Sequence, residues 1–213
     1  MSQGGLPPIR RTRERLEYEN PWLRLYFDDV EKQDGPGRYT RIEDGPPGAG
    51  PGVVVIPRDA GGLILFIRSY RYPVGEWLWE LPRGFGEPGQ SAVESAAREL
   101  EEETGLRAES YEELGVLLPN TGLLASRISI VLARGVAGTA SLQGAEAIDS
   151  SRWLSLGDAM AEAASGALRD GISLARIAEQ TGPRKGIAAP RLRRLRIPRC
   201  AQVDIVAVSV DCP

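Results

Sequence analysis

The chain has 213 residues and a formal net charge of −3, enough for one compact domain with tails and no general bias toward nucleic acid or a membrane surface. It contains no histidine, so histidine-based nucleophilic catalysis and histidine metal sites are excluded. Only Cys200 and Cys212 carry thiols, and neither their number nor their spacing suggests a zinc site or a disulfide framework.

The chain shows no targeting or membrane segment. The first twenty residues lack an apolar signal core, and no apolar run is long enough to span a bilayer. We therefore expect a reduced cytoplasmic location, with neither a membrane nor nucleic acid as a partner.

The N-terminal part divides into a tail and a β-hairpin. Residues 1–14 are rich in Gly, Pro and Arg, which is typical of a loose tail. Residues 15–45 contain two β-forming runs on either side of a turn at residues 34–37 and predict an N-terminal β-hairpin.

Residues 46–181 alternate between strand-like and helix-like patterns. Strands are predicted at residues 53–56, 63–72, 114–118 and 127–133. After the last strand, Ser155 can cap a helix that runs to about Leu168, and a second short helix is predicted at residues 173–179. The mixture indicates a three-layer α/β/α sandwich around a mixed sheet.

Residues 182–213 form a basic segment with prolines and many arginines. A basic tail can bind phosphates or nucleic acid. The composition is more typical of a poorly ordered C-terminal appendage, which is the interpretation we favour.

The densest run of carboxylates lies on a predicted helix between these strands. Ser91 and Glu94 form a capping box that begins the helix, and Gly105 stands where it should end. Three glutamates share one face of it at helical spacing: Glu99, Glu102 and Glu103.

Like charges at this spacing repel each other and destabilise the helix. A divalent cation such as Mg²⁺, which prefers oxygen ligands, would make the clustering favourable. A solvated acidic surface is the alternative interpretation. The Gly-rich turn before the helix, with Gly84, Gly86 and Gly89, favours the metal site because it delivers backbone groups to the carboxylate face.

This stretch resembles the Nudix box, G-x5-E-x7-R-E-U-x-E-E-x-G-U, in which U is aliphatic. Gln90 stands where the pattern has its first glutamate. The remaining positions match at the right spacing: Gly84, Arg98, Glu99, Leu100, Glu102, Glu103, Gly105 and Leu106. The resemblance implies the fold of a Nudix-type sandwich and a Nudix hydrolase of the ADP-ribose pyrophosphatase-like branch, with Mg²⁺, or alternatively Mn²⁺, as the cofactor.

The resemblance also implies roles for individual residues. Glu99, Glu102, Glu103 and the backbone carbonyl of Arg83 would bind the metal, and Glu99 is the base in some members. Arg98 would orient the glutamates through a charge-assisted hydrogen bond. We expect Gln90 to weaken this positioning without abolishing catalysis.

A further carboxylate is expected from the loop after residues 127–133. Glu146 matches the acidic loop of the ADP-ribose enzymes best, and Asp149 is the other acid available there. Those enzymes often carry a second acid where this chain has Gly144, so the identity of the base stays open. For Glu146, an ordinary loop carboxylate is the alternative.

Substrate contacts are predicted on both sides of the box. Three arginines could contact a diphosphate or ribose hydroxyls: Arg68, Arg71 and Arg127. Three aromatic residues could stack a base: Trp22, Tyr72 and Trp77. For each aromatic residue, packing in the core or in a dimer contact is the favoured alternative.

The resulting hypothesis is hydrolysis of ADP-ribose, or of a nucleotide sugar such as a GDP-hexose, to a nucleoside monophosphate and a sugar phosphate. The alternative is a catalytically weakened Nudix-fold nucleotide-binding or regulatory module, which Gln90 and the basic tail would favour. The resemblance further suggests a homodimer built through the N-terminal hairpin. An edge hairpin within one monomer explains the same residues equally well.

Overall fold

The computed structural model describes residues 7–142 and 147–181, the last four of them by backbone only. Within these residues it contains eleven strands in two sheets and three helices. The predicted base Glu146 and the basic segment 182–213 lie outside the described residues.

The first sheet is antiparallel and has four strands. They are β1 (Ile9–Arg13), β2 (Leu16–Asn20), β3 (Leu23–Lys32) and β4 (Gly35–Asp44). β3 pairs with β4 along its whole length, and its other edge pairs with β1 and β2. The hairpin expected within residues 15–45 is thus β3 and β4, with β3 in the middle of a larger sheet and β4 paired only to β3.

The prediction of a loose tail is wrong for β1, which lies within residues 1–14. Ile9 pairs with Lys32 and Arg13 with Asp29, so the strand is held by hydrogen bonds to β3. Its sequence, IRRTR, is exposed throughout and has no alternation of apolar residues. The strand therefore depends on a distant partner and not on its own pattern.

The second sheet contains the other seven strands. They are β5 (Gly52–Arg58), β6 (Ile64–Arg71), β7 (Glu76–Glu80), β8 (Arg83–Phe85), β9 (Ser110–Leu117), β10 (Ile128–Arg134) and β11 (Ile148–Leu154). The order is β11-β6-β5-β10-β9, with β7 paired to β6 and β8 paired to β5. β5 and β10 are parallel and the other pairs are antiparallel, which confirms the predicted mixed sheet.

The helices cover both faces of this sheet. They are α1 (Ala92–Thr104), α2 (Leu156–Ser165) and α3 (Gly171–Thr181). Leu100 of α1 packs in one core cluster, while Ala159 of α2 and Ile177 of α3 pack in another. The α/β/α sandwich is therefore confirmed. No helix among the described residues is both long and apolar enough to cross a membrane.

The limits of α1 follow the predicted capping chemistry. The Ser91 side chain accepts a hydrogen bond from the Glu94 N–H at 3.3 Å, and the Glu94 carboxylate accepts one from the Ser91 N–H at 2.8 Å. At the other end, Gly105 adopts the left-handed conformation with φ 68° and donates its N–H to the carbonyl of Glu101. Leu100 is fully buried between these ends and contributes about 2 kcal/mol by its burial.

The segment between β9 and β10 is attached to the N-terminal sheet. The Ile42 N–H donates to the Leu123 carbonyl and the Ala125 N–H donates to the Ile42 carbonyl, both at 2.9 Å. The Ser126 hydroxyl also donates to the carboxylate of Asp44. These contacts bring the end of β4 beside the start of β10.

Candidate functional site

The candidate site begins where β8 meets α1. A Cβ atom built on Gly84 would lie 2.3 Å from the carboxylate carbon of Glu99. Glu99 is 6% exposed, so its carboxylate is buried directly against the backbone of β8. Only glycine leaves room for that approach.

Arg98 joins two of the predicted acids. Its guanidinium donates to the Glu99 carboxylate and to the Phe85 carbonyl, both at 2.5 Å, and it also pairs with Glu102. Burial opposes the charged form of Arg98, but the negative charges of Glu99, Glu102 and Glu87 outweigh it and raise its pKa.

Gln90 lies in the turn before α1 and contacts its neighbours. Its side-chain oxygen accepts hydrogen bonds from the Glu87 N–H at 3.1 Å and the Ser95 hydroxyl at 3.2 Å. Since Glu87 contributes to the pKa of Arg98, it supplies negative charge that Gln90 does not. The sequence analysis missed Glu87, because the box pattern directs attention to position 90.

Glu103 contacts the same strand as Glu99, but at Arg83 and not at Gly84. Its carboxylate accepts a hydrogen bond from the backbone N–H of Arg83 at 3.1 Å and is 3% exposed. Carbonyl direction alternates along a strand, so the Arg83 carbonyl should point to the same side as that of Phe85, which accepts from Arg98.

The metal set of Glu99, Glu102 and Glu103 stays a prediction. Across residues 7–142 and 147–181, no three or more Asp, Glu or Cys side chains are arranged to hold a metal ion. Glu102 pairs with Arg98 and its side chain is 48% exposed, while Glu103 and Glu99, which also pairs with Arg98, contact β8.

Two buried carboxylates beside the Arg83 carbonyl still suit a hard cation. Mg²⁺ is usually bound through one or two carboxylates, with waters and substrate phosphates completing its shell. The close approach of Gly84 to Glu99 holds one such carboxylate at the surface of β8. The residues present therefore fit a site with two carboxylates.

A cleft of about 560 Å³ opens beside β8. Its described lining includes four arginines, namely Arg24, Arg71, Arg83 and Arg127. Asp44 is the one acid among the lining residues that the structure describes. The cleft is therefore suited to a group with several negative charges, such as a diphosphate.

Two of the cleft arginines share a buried carboxylate. Glu80 is 0% exposed and accepts hydrogen bonds from Arg71 Nε at 2.9 Å and Arg83 Nη2 at 3.0 Å. Arg83 also pairs with Asp170 at 3.3 Å. Burial opposes the charge of Arg71, but the hydrogen bond and charge of Glu80 outweigh it and raise the pKa of Arg71.

Four predicted substrate contacts lie elsewhere. Arg68 pairs with Asp149 at 3.2 Å and lies over the ring of Trp77, 5.3 Å from its centre. Tyr72 is 83% exposed and Trp22 is 70% exposed. None of these four described side chains lines the cleft, whereas Arg71 and Arg127 do.

Arg24 and Arg83 line the cleft, but the sequence analysis did not assign their side chains to substrate binding. Arg24 lies on β3 of the other sheet, so only the docking of the two sheets brings it here. Arg83 was expected to act through its carbonyl. Successive side chains on a strand point to opposite faces, so its place directly before Gly84 did not indicate that its side chain lines the cleft.

Comparison with known proteins identifies the family to which the chain belongs. A family profile described as NUDIX domain matches residues 48–175. A CMP-5'-(N-acetyl-N-hydroxy-3-aminopropyl)phosphonate hydrolase of Streptomyces rubellomurinus is 29% identical over 146 residues, 68% of this chain and 69% of that protein. An ADP-ribose pyrophosphatase of Mycobacterium tuberculosis is 30% identical over 145 residues, 65% of this chain and 69% of that protein.

A solved structure shares the fold. It is titled as an ADP compounds hydrolase and matches with a TM-score of 0.68 at 18% sequence identity. The match covers 83% of this chain and 94% of that one.

Proposed function

Because the chain belongs to the Nudix family and is a Nudix pyrophosphohydrolase, we propose that its substrate is ADP-ribose or a related nucleoside diphosphate sugar. Hydrolysis of the diphosphate linkage would give a nucleoside monophosphate and a sugar phosphate. The observation that carries the proposal is the cleft with four arginines, whose lining includes Gly84, the residue against which Glu99 packs.

The cleft arginines would bind and orient the diphosphate. A guanidinium presents several N–H donors in a fixed plane, which suits the oxygens of a phosphate group. Arg71 and Arg83 are held by Glu80, whereas Arg127 is exposed at the rim. The relation to the M. tuberculosis ADP-ribose pyrophosphatase supports a nucleoside diphosphate sugar as the substrate.

Nudix hydrolases generally use divalent metal ions, and Mg²⁺ or Mn²⁺ is proposed here. Glu99, Glu103 and the carbonyl of Arg83 would hold it, joined by Glu102 if that side chain leaves Arg98. Such an ion neutralises phosphate charge and makes water more acidic. Arg98 would keep Glu99 in place through their hydrogen bond.

Hydrolysis requires attack by water on one phosphorus, breakage of the bridging P–O bond and transfer of the water proton to a base. Glu146 or Glu99 is proposed as that base. Asp149, the other acid of the loop, is paired with Arg68, which makes it the weaker candidate.

The test is a panel of substrates with Mg²⁺ and a coupled phosphatase that releases phosphate from the products. The panel holds ADP-ribose, GDP-mannose, NADH, diadenosine polyphosphates and a CMP-linked phosphonate, the last because of the Streptomyces relative. We expect the highest kcat/KM with ADP-ribose or GDP-mannose. We expect no hydrolysis when EDTA removes divalent ions. Tight binding without turnover of any compound would contradict the proposal and favour a binding module.

A homodimer through the N-terminal sheet stays a prediction. Several large apolar side chains of this sheet and of the turn between β2 and β3 are exposed, namely Ile9, Leu16, Tyr18 and Trp22. Contiguous exposed apolar patches are typical of protein contact sites. Sedimentation at micromolar concentration should give a dimer, and a monomer at that concentration would contradict the prediction.

A further inference from the structure

Glu80 is a fully buried carboxylate at the end of β7, outside the box. A buried charge is costly unless it is paired and hydrogen-bonded. Both of its oxygens are engaged: Arg71 binds both in a fork, and Arg83 binds one of them at 3.0 Å. No substrate could reach a side chain that is 0% exposed, so any role of Glu80 in the reaction must act through these arginines.

The two arginines come from different strands and would repel each other without a shared counter-charge. Arg71 ends β6 and Arg83 begins β8, and both line the cleft. The negative charge of Glu80 lies between the two guanidinium groups and offsets their repulsion. Asp170, which is also buried, holds the other side of the Arg83 guanidinium at 3.3 Å.

The hydrogen bonds also fix the planes of the guanidinium groups. Each guanidinium carries five N–H donors in a rigid fork. Arg71 uses one edge of its fork on Glu80, and Arg83 is held at Nη1 and Nη2 by Asp170 and Glu80. The N–H groups outside these contacts are directed by them, so a phosphate meets donors that are already oriented.

Arg83 connects this pair to the candidate metal acids. While its side chain contacts Glu80, its backbone N–H donates to Glu103 at 3.1 Å. Movement of Arg83 would therefore shift both its guanidinium, which would donate hydrogen bonds to a phosphate, and the Glu103 carboxylate that its backbone N–H binds.

We propose that Glu80 is a positioning residue that sets Arg71 and Arg83 as a paired binding site for the two phosphates of the substrate. This inference rests on the proposed function, since it assigns the diphosphate to these two side chains. A purely structural ion pair is the competing explanation. The two differ in the sign of the effect expected when the charge of Glu80 is removed.

The first experiment measures binding of inorganic pyrophosphate to the full chain in EDTA by calorimetry. Glu80→Gln keeps the shape and one acceptor but loses the charge, so the cleft becomes more positive. Positioning predicts that affinity falls about tenfold, the size of one hydrogen bond to a charged group. Unchanged or tighter binding by the variant, or no binding by the wild type, would overturn the proposal.

A second variant tests the proposal independently, in case Glu80→Gln does not fold. Arg71→Lys keeps the positive charge but cannot form the fork with Glu80. It should lose about as much pyrophosphate affinity as Glu80→Gln, again roughly tenfold. Wild-type affinity in Arg71→Lys would contradict the proposal even if Glu80→Gln does not fold.

A third comparison tests whether Glu80 acts through the arginines. In a chain that carries Arg71→Ala and Arg83→Ala, adding Glu80→Gln should change the remaining affinity less than twofold, or about 0.4 kcal/mol. A further tenfold loss would overturn the proposal. The matched control is Glu112→Gln, which breaks an exposed glutamate–arginine pair on β9 with Arg134 and should leave binding unchanged.

Turnover separates this inference from the proposed function. With ADP-ribose and Mg²⁺, Glu80→Gln should raise KM more than it lowers kcat, since binding is weakened first. A fall in kcat with unchanged KM would count against it. If the wild type hydrolyses no substrate of the panel but Glu80→Gln still weakens pyrophosphate binding, the proposed function fails and the positioning role stands.

Discussion

Gly84 and Glu99 are in contact so close that a single methyl group on Gly84 would lie 2.3 Å from the Glu99 carboxylate. The glycine at the start of the box is therefore tied to one particular acid of the helix. Its effect on activity can be tested without touching that acid.

Gly84→Ala should displace the Glu99 carboxylate and lower kcat/KM by about 100-fold, since small misplacements of catalytic groups are costly. The free energy of unfolding should fall by about 1–3 kcal/mol from overpacking. Steady-state kinetics and urea unfolding measure the two effects. Gly157→Ala, in α2 with only ordinary contacts, is the control, and equal activity of both variants would contradict the prediction.

The acids of α1 should differ in their effect on metal dependence. Glu99→Gln and Glu103→Gln remove buried carboxylates beside β8 and should each lower activity at fixed Mg²⁺ about 100-fold or more. Glu102→Gln should cost less, because that side chain is half exposed and paired with Arg98. Titration of activity with Mg²⁺ checks the order, and Glu102→Gln as the most damaging change would contradict it.

Gln90→Glu should not improve the enzyme. The new carboxylate would replace an amide that donates to Glu87 at 3.4 Å, so two negative charges would meet. We expect activity within about threefold of the wild type and a stability loss of about 0.5 kcal/mol at pH 7, as for exposed charge pairs. An inactive wild type rescued by this change would refute the prediction.

Arg127, which lines the cleft, should affect KM, whereas Arg68, which lies outside the cleft, should not. Arg127→Ala removes a cation from the cleft lining and should raise KM for ADP-ribose about tenfold. Arg68→Ala is the matched control, because Arg68 contacts Asp149 and Trp77 outside the cleft. A larger KM effect from Arg68→Ala would mean that substrate binds on the other face of β6.

Stability should fall in acid through Asp28 of the N-terminal sheet. Burial tends to raise the pKa of Asp28, but the hydrogen bonds from Arg41 and the Arg15 N–H outweigh it and lower the pKa below its ordinary value. A lowered folded-state pKa means that this stabilisation is complete above the unfolded value and is lost as the pH falls through the folded value.

Asp28→Asn should therefore lower the free energy of unfolding by about 1–3 kcal/mol at pH 7 and by less at pH 2. Urea unfolding at several pH values measures the difference. Asp34→Asn is the control, since Asp34 is 80% exposed and lies 3.8 Å from Lys32. A loss that is independent of pH would contradict the assignment to this carboxylate.

Local chemistry accounts for the parts of the fold that the sequence predicts well. The limits of α1 depend on Ser91, Glu94 and Gly105, all within one helix length, and they are where the capping pattern places them. Three strands of the second sheet, β5, β6 and β10, follow their apolar runs, with β5 extending from Gly52 to Arg58 around the predicted residues 53–56.

Long-range packing accounts for what could not be predicted. β1 is a strand because Lys32 and Asp29 pair with it, and Arg24 reaches the cleft because two sheets meet there. The position of Glu102 likewise depends on Arg98, which pairs with both Glu99 and Glu102, and helical spacing alone does not decide it. Spacing along the chain therefore predicts which residues share a helix face, but not where the docking of two sheets places their side chains.

The contact between Asp44 and Ser126 joins positions 82 residues apart, and it closes one wall of the cleft. Closing so long a loop has an entropic cost that must be met before the contact forms. A nascent chain that has just completed α1 already holds β1 to β4 and the acids of the box, yet it still lacks residues 120–126. We therefore expect α1 to form early in biosynthesis and the substrate cleft to form only late.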